Sequence, residues 1–220
     1  MSVQIVHTAD LHLDRNFQIA NLARRERRRQ DVEDNFRQIV DYVLQNKPDL
    51  FLLAGDIFDR VNPGNAAREM LVRKIREVSE AGVKVYAIGG NHDVPKLRVG
   101  PSSLAIDVLE AAGLGRVFSQ SDRFQSNTFK VNAETVTVAG RSFFAEREET
   151  NPFEGQKISL EGRYNLVLLH GSFQGMNVAP SDKAFIRQNP FYAENVPAEV
   201  DYLALGHYHN AFGCATVRPL

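Results

Sequence analysis

Leu50-Phe51-Leu52-Leu53-Ala54-Gly55-Asp56 is a run of five apolar residues closed by a glycine and a carboxylate. A run this short, without polar alternation, reads as a strand buried on both faces, the kind found in parallel sheets. Upstream, Val3 to His7 is a second such strand, ending in a turn over Thr8 to Leu13. Between the two, Val32, Phe36, Ile39, Val40, Val43 and Leu44 recur at helical spacing until Pro48 stops the pattern. Downstream, Leu71, Ile75 and Val78 mark another helix, Gly82 ends it, and Val83 to Ile88 is a third strand. This β-α-β-α-β alternation predicts parallel strands with crossover helices on the sheet.

The order changes after that. Thr128 to Val131 and Thr135 to Val138 alternate about Asn132 and predict an antiparallel pair. Leu166 to Leu169 and Tyr202 to Leu205 are further buried runs, each leading into histidines. Ser172 to Pro197, with Gly175, Pro180, Pro190 and Pro197, reads as a long surface loop. The expected architecture is a layered α/β fold with a mixed, mostly parallel sheet flanked by helices.

A chain of 220 residues, 43% hydrophobic, can bury one substantial core, and a single domain over 1–220 is expected. No stretch approaches the ~20 apolar residues of a membrane span, and MSVQIVHTADLH lacks a signal core, so a cytoplasmic protein without a membrane is expected. The single cysteine, Cys214, excludes a disulfide framework and a thiolate cluster. A net charge of -1 gives no global field for nucleic acid. The exception is local, at Arg24, Arg25, Arg27, Arg28 and Arg29, a solvated helix face in the first reading and a phosphate-backbone contact in the second.

Every predicted parallel strand ends in polar chemistry. Asp10 and His12 follow the first, Asp56 the second, Asn91-His92-Asp93 the third, His170 the fourth, and His207-Tyr208-His209 the fifth. Each has a bland explanation alone: a chance pair, a helix cap, a glycine loop, a structural histidine. Five strand ends behaving alike is a different matter, because groups beyond the carboxyl ends of parallel strands converge on one crevice. Asp10, His12, Asp56, Asn91, His170, His207 and His209 are too many ligands for one ion that keeps room for water. Two ions roughly 3.5 to 4 Å apart, sharing a carboxylate, use them well and suit in-line displacement at phosphorus. Imidazole, amide and carboxylate together favour manganese, iron or zinc over calcium.

These residues resemble the calcineurin-like metallophosphoesterase superfamily, whose motifs read D-x-H, G-D, G-N-H-D or E, H, and G-H-x-H. They stand here in order as Asp10-Leu11-His12, Gly55-Asp56, Gly90-Asn91-His92-Asp93, His170 and Gly206-His207-Tyr208-His209. The resemblance implies one ion on Asp10, His12 and His209, a second on Asn91, His170 and His207, and Asp56 bridging. It implies His92 as general acid or transition-state stabiliser, with Asp93 as its orienting carboxylate or merely a turn residue. The flanks His7 to Leu13, Leu53 to Asp59 and Asp201 to His209 are similar to the DNA-repair nuclease branch, bacterial SbcD and its Mre relatives. That branch implies a manganese-dependent exonuclease and endonuclease on DNA, an SbcC-type ATPase partner and a homodimer. Some relatives carry histidine at the position of Asp59, which leaves a supporting role for that carboxylate open. Relatives also continue into a DNA-capping domain, so the chain is expected to be truncated before one. A phosphodiesterase or phosphatase acting on a nucleotide or other small phosphoester is the alternative, and a noncatalytic metal-binding scaffold the third reading.

Overall fold

The computed structural model describes residues 2–96, 103–174 and 187–209. Strands β1 (Ile5–Thr8), β2 (Leu50–Ala54), β3 (Lys84–Ile88) and β4 (Arg116–Val117) form one sheet in that order, all parallel. Helices α1 (Leu22–Asn46) and α2 (Asn65–Glu80) are the crossovers, and a short α3 (Val108–Ala111) precedes β4. A second sheet follows in the order β5 (Gln125–Val131), β6 (Glu134–Gly140), β7 (Tyr164–His170), β8 (Tyr202–Gly206). The β5 and β6 strands are antiparallel and the remaining pairs parallel.

The expected strands are all present, within three residues of their predicted limits, and they form two mostly parallel sheets flanked by helices. Burial explains the division. The Leu50, Leu52, Tyr86 and Ile88 side chains on one face of the first sheet pack on Val136, Val138, Leu166 and Leu168 of the second. The opposite face of the first sheet, with Phe51, Leu53, Val85 and Ala87, meets Phe36, Val40 and Val43 of α1 and Leu71, Ile75 and Val78 of α2. Every residue of β2 is therefore fully buried, which is why its sequence shows no alternation. Among the described residues, the outer face of the second sheet is covered by Phe124, Phe153 and Phe191 from connecting segments. Phe191 belongs to the stretch expected as a surface loop, yet it is fully buried and its neighbourhood pairs with Phe173. Of that stretch, Gly175 and Pro180 lie outside the described residues, as does Cys214.

Helix α1 starts where the Asn21 side chain accepts the Arg24 N–H and ends at Lys47 in the left-handed conformation (φ 45°), with Pro48 preventing continuation. Among the described residues no helix is long and apolar enough to cross a membrane. The carboxyl ends of β1, β2 and β3 lie beside those of β7 and β8, which places the predicted polar clusters at one end of the sandwich.

Candidate metal centre

The loops leaving the strands are joined by their own backbones. Asp10 N–H donates to the Gly55 carbonyl at 3.0 Å, His12 to Asp56 at 2.9 Å and Leu13 to Ile57 at 2.9 Å, extending the β1–β2 pairing into the site. The next loop is tied on through Asp93, whose buried carboxylate accepts the N–H groups of Ile57 (3.1 Å), Phe58 (2.9 Å) and Gly90 (3.0 Å). The fifth loop closes the ring, with His207 N–H on the Asp10 carboxylate at 3.1 Å to both oxygens.

Four of the seven candidate ligands occupy positive φ: Asp10 (54°), His12 (46°), Asp56 (49°) and His207 (113°). Non-glycine residues rarely adopt such angles, and strain of this kind persists where the surroundings over-determine it, typically at working sites. The glycines of the motifs answer to space. A Cβ on Gly90 would stand 2.2 Å from Asp56 Oδ1, and one on Gly55, itself at φ 89°, 2.4 Å from His170 Nδ1.

All seven candidates come together. Asp10, His12 and His209 offer ligand atoms within 4.8 Å of one another, as do Asp10, Asp56 and His170. Asp56 stands between two groups of imidazoles, Oδ2 3.6 Å from His12 Nε2 and Oδ1 3.5 Å from His170 Nε2. On one side His12 Nε2 meets His209 Nε2 at 3.1 Å. On the other, His170 Nε2 lies 3.0 Å from Asn91 Oδ1 and 3.3 Å from His207 Nδ1, which is itself 3.1 Å from Asn91 Oδ1.

The chemistry of this donor set fits divalent cations. His170 Nδ1–H donates to the Ala54 carbonyl at 3.0 Å, which leaves the Nε2 lone pair facing Asn91 Oδ1 and Asp56 Oδ1, two more acceptors. Acceptors converging in a buried place demand positive charge. Without a cation a proton supplies it. Burial opposes a charge on His170, but Asp56 outweighs burial and pushes this imidazole up to about 9. Burial would raise Asp56 too, yet the charge and hydrogen bonding of His170, then His12 and the His92 N–H, hold it well below the usual carboxylate range. For Asp10, burial prevails over the neighbouring histidines and raises the carboxyl.

His92 lies beside that set, and with His12 and Asp56 it forms a third group whose ligand atoms are within 4.8 Å of one another. Its Nδ1 lies 2.9 Å from the Asp59 carbonyl oxygen, its Nε2 is 4.0 Å from Asp56 Oδ2, and its ring makes an edge contact with His12 at 4.7 Å between centroids. Of the two readings of Asp93, orienting carboxylate or turn residue, its contacts are those of the second. Asp93 points away into the protein, where its three backbone donors consume it, and the Asp59 carbonyl holds the imidazole instead. Burial, then the Asp56 charge, push the Asp93 carboxyl up to about 7 against those donors. Asp59 has a second contact, Oδ1 3.2 Å from His12 Nδ1, although out of line for a good hydrogen bond.

Two supporting residues escaped the sequence reading. Ser142 Oγ accepts the Gly89 N–H at 2.8 Å and donates to the Phe118 carbonyl, and Phe143 edges onto His170 at 6.3 Å. Neither lies in a motif, since both follow β6 and reach the site through the contact between sheets.

A family model described as calcineurin-like phosphoesterase matches residues 3–211. The chain belongs to the calcineurin-like phosphoesterase family. Within it, a protein named as the uncharacterized metallophosphoesterase YhaO of Bacillus subtilis is 28% identical over 208 residues, covering 93% of this chain and 48% of the relative. Proteins named DNA double-strand break repair protein Mre11 are similar at the same level. That of Sulfurisphaera tokodaii is 29% identical over 209 residues (94% of this chain, 49% of the relative), and that of Methanopyrus kandleri 27% over 218 (94% and 44%). The chain spans about half the length of these relatives. Its Asp and His groups, with Asn91 beside them, are of a kind that could hold divalent metal ions.

Proposed function

We propose that this chain is the catalytic domain of a DNA exonuclease and endonuclease of the SbcD type that acts in DNA repair in the cytoplasm, followed by a capping domain and assembled as a dimer with an SbcC-type ATPase. The reading rests on one observation above all: Asp56 turns one carboxylate oxygen toward His12 and the other toward His170, dividing the donors into two groups. On it, Asp10, His12 and His209 hold one ion, Asn91, His170 and His207 the other, and Asp56 both. Manganese suits the mixed donors, with iron or zinc as alternatives. The repair proteins named Mre11 among the relatives support DNA as the substrate.

When bound, the ions supply Lewis acidity to the phosphoryl oxygens and lower the pKa of water. The remaining steps belong to side chains. His92 keeps Nδ1–H on the Asp59 carbonyl and leaves Nε2 toward the site. As the imidazolium it would carry a second proton on Nε2, hydrogen-bond the developing charge with it and donate it to the leaving oxygen, ending as the neutral Nδ1–H imidazole. The Asp93 carboxylate keeps the Asp56 and Asn91 loops in register. Its action is indirect, through backbone.

The test is an assay of the manganese-loaded full-length protein, with metal content measured, on linear and hairpin DNA and on cyclic nucleotides. DNA cleavage is expected. Turnover of cyclic nucleotides with DNA untouched would assign the site to small phosphoesters, and no turnover at all with ions bound would make it a scaffold.

A further inference from the structure

The arginine run at the start of α1 is placed where helix stability argues against it. The first two turns carry Arg24, Arg25, Arg27, Arg28 and Arg29 against Glu26 alone, with no acidic residue in the first turn. Cations there oppose the positive end of the helix dipole, and Arg24/Arg28 and Arg25/Arg29 are like-charged pairs one turn apart. Packing offers little compensation, because Arg24, Arg27, Arg28 and Arg29 are exposed, Arg25 is only half-buried and Leu22 beside them is 68% exposed. Internal pairing is partial: Asp31 serves both Arg27 (3.3 Å) and Arg28 (3.4 Å), and Glu26 serves Arg29. A local rule broken without local gain points to function.

This charge is connected to the metal centre by contacts. The Arg28 guanidinium lies over the Phe17 ring at 5.7 Å, and Arg15, from the loop after His12, lies over the same ring at 5.4 Å. Arg15 Nε is in turn 3.9 Å from Asp59 Oδ1, the oxygen beside His12 Nδ1. An aromatic ring between two guanidinium groups holds them in place at small entropic cost. The result is a cationic track from the helix start to the rim of the site, on a protein whose net charge is -1.

We propose that this track, Arg24, Arg25 and Arg28 continued by Phe17 and Arg15, binds the sugar-phosphate backbone of the DNA strand and leads it to the metal centre. The inference rests on the nuclease reading and adds to it the surface that recognises a polymer. A small phosphoester reaches the metals without touching α1. A strand with phosphates on both sides of the scissile bond needs fixed cations beyond them, and guanidinium is the group for that contact.

The test uses the triple variant Arg24→Glu/Arg25→Glu/Arg28→Glu in the full-length protein. Binding to a duplex oligonucleotide is followed by fluorescence anisotropy over a range of salt, on a His92→Ala background that spares the DNA. Turnover of bis(p-nitrophenyl) phosphate and thermal unfolding are measured on the His92 form. The expected result is affinity reduced by at least about tenfold, a log K against log salt slope shallower by about two to three, unchanged diester turnover, and an unfolding midpoint equal or higher because acids now sit at the helix start. Unchanged DNA affinity and slope would overturn the proposal while leaving the nuclease reading intact. A fall in diester turnover equal to the fall in affinity would overturn it as well, by showing that the metal centre itself had been disturbed. Wild-type protein that turns over the diester but neither binds nor cuts DNA would overturn the nuclease reading and this one with it. The triple variant Arg24→Gln/Arg25→Gln/Arg28→Gln, which removes charge without reversing it, is expected to show the same loss at smaller size.

Discussion

His92 Nδ1 sits 2.9 Å from the backbone carbonyl oxygen of Asp59, and that contact fixes which nitrogen of the imidazole is free to work. With the proton on Nδ1, Nε2 is the atom left toward Asp56 Oδ2, 4.0 Å away, and on the proposed reading the one that meets the phosphate. A ligand role would require His92 for metal content; a role in proton transfer would not. His92→Ala is expected to lower turnover by about 10²- to 10⁴-fold while metal content, read by elemental analysis after gel filtration, stays at the wild-type value. Loss of an ion together with activity would make His92 a ligand.

Asp56 and Gly90 are bound to one another by space. The Gly90→Ala methyl would fall 2.2 Å from Asp56 Oδ1 and 2.4 Å from Asp56 N, both far inside contact distance. Neither neighbour can yield, since Asp56 is pinned by His12, His170 and the His92 N–H. Gly90→Ala is expected to weaken metal binding by about two orders of magnitude or more, measured by competition with a chelating dye, because it displaces the carboxylate that stands between His12 and His170. Gly82→Ala is the control: its φ of 87° is strained in any L-residue, but nothing lies within 4 Å of the new methyl. It should cost about 1 kcal/mol in denaturant unfolding and leave metal binding alone.

Asp93 carries its structural burden through three backbone N–H groups drawn from two ligand loops. Replacing it by Asn turns one acceptor oxygen into a donor facing donors. The expected loss is about 1 to 3 kcal/mol of unfolding free energy above pH 7, where the raised carboxyl is ionised and accepts all three N–H groups and Asn leaves one of them unsatisfied. Activity should fall in step with metal affinity and be partly restored at high manganese. A variant with full metal affinity but no turnover would instead place Asp93 in the chemistry.

Much of this was legible in the sequence because strand burial and motif position are both periodic signals. Leu50 to Ala54 could be read as a doubly buried strand from its lack of alternation, and the polar residues after each strand followed from that placement. The division into two sheets was not legible: pairing between Leu52 and Leu166 is set by which apolar faces meet, and nothing local encodes it. The choice between the two readings of Asp93 was not legible either, because it depends on which way the turn sends neighbouring side chains, here one to the site and one to the protein interior. Ser142 and Phe143 were invisible because their links to the centre, Ser142 Oγ to the Gly89 N–H and the Phe143 ring to His170, join segments far apart in the chain.

His7 supplies a pH dependence outside the metal centre. Its ring lies between β1 and β8, Nδ1 3.1 Å from the Tyr202 hydroxyl, with Nε2 buried and without a hydrogen-bond partner among the described residues. Burial holds this imidazole down at about 4, below its ordinary value of 6.5. A depressed histidine means that the unfolded chain takes up the proton first, so stability is fully present above pH 6.5 and declines as pH falls toward 4. His7→Phe keeps a ring in the gap and removes the titration. The dependence of unfolding free energy on pH between 6.5 and 4 should then flatten by up to one proton, about 1.4 kcal/mol per pH unit at most. Chemical denaturation at several pH values, in chelator so that the metal ligands contribute equally to both proteins, makes the comparison. Parallel pH profiles for the two proteins would mean that His7 is solvated enough to titrate normally, and that the β1–β8 contact opens in solution.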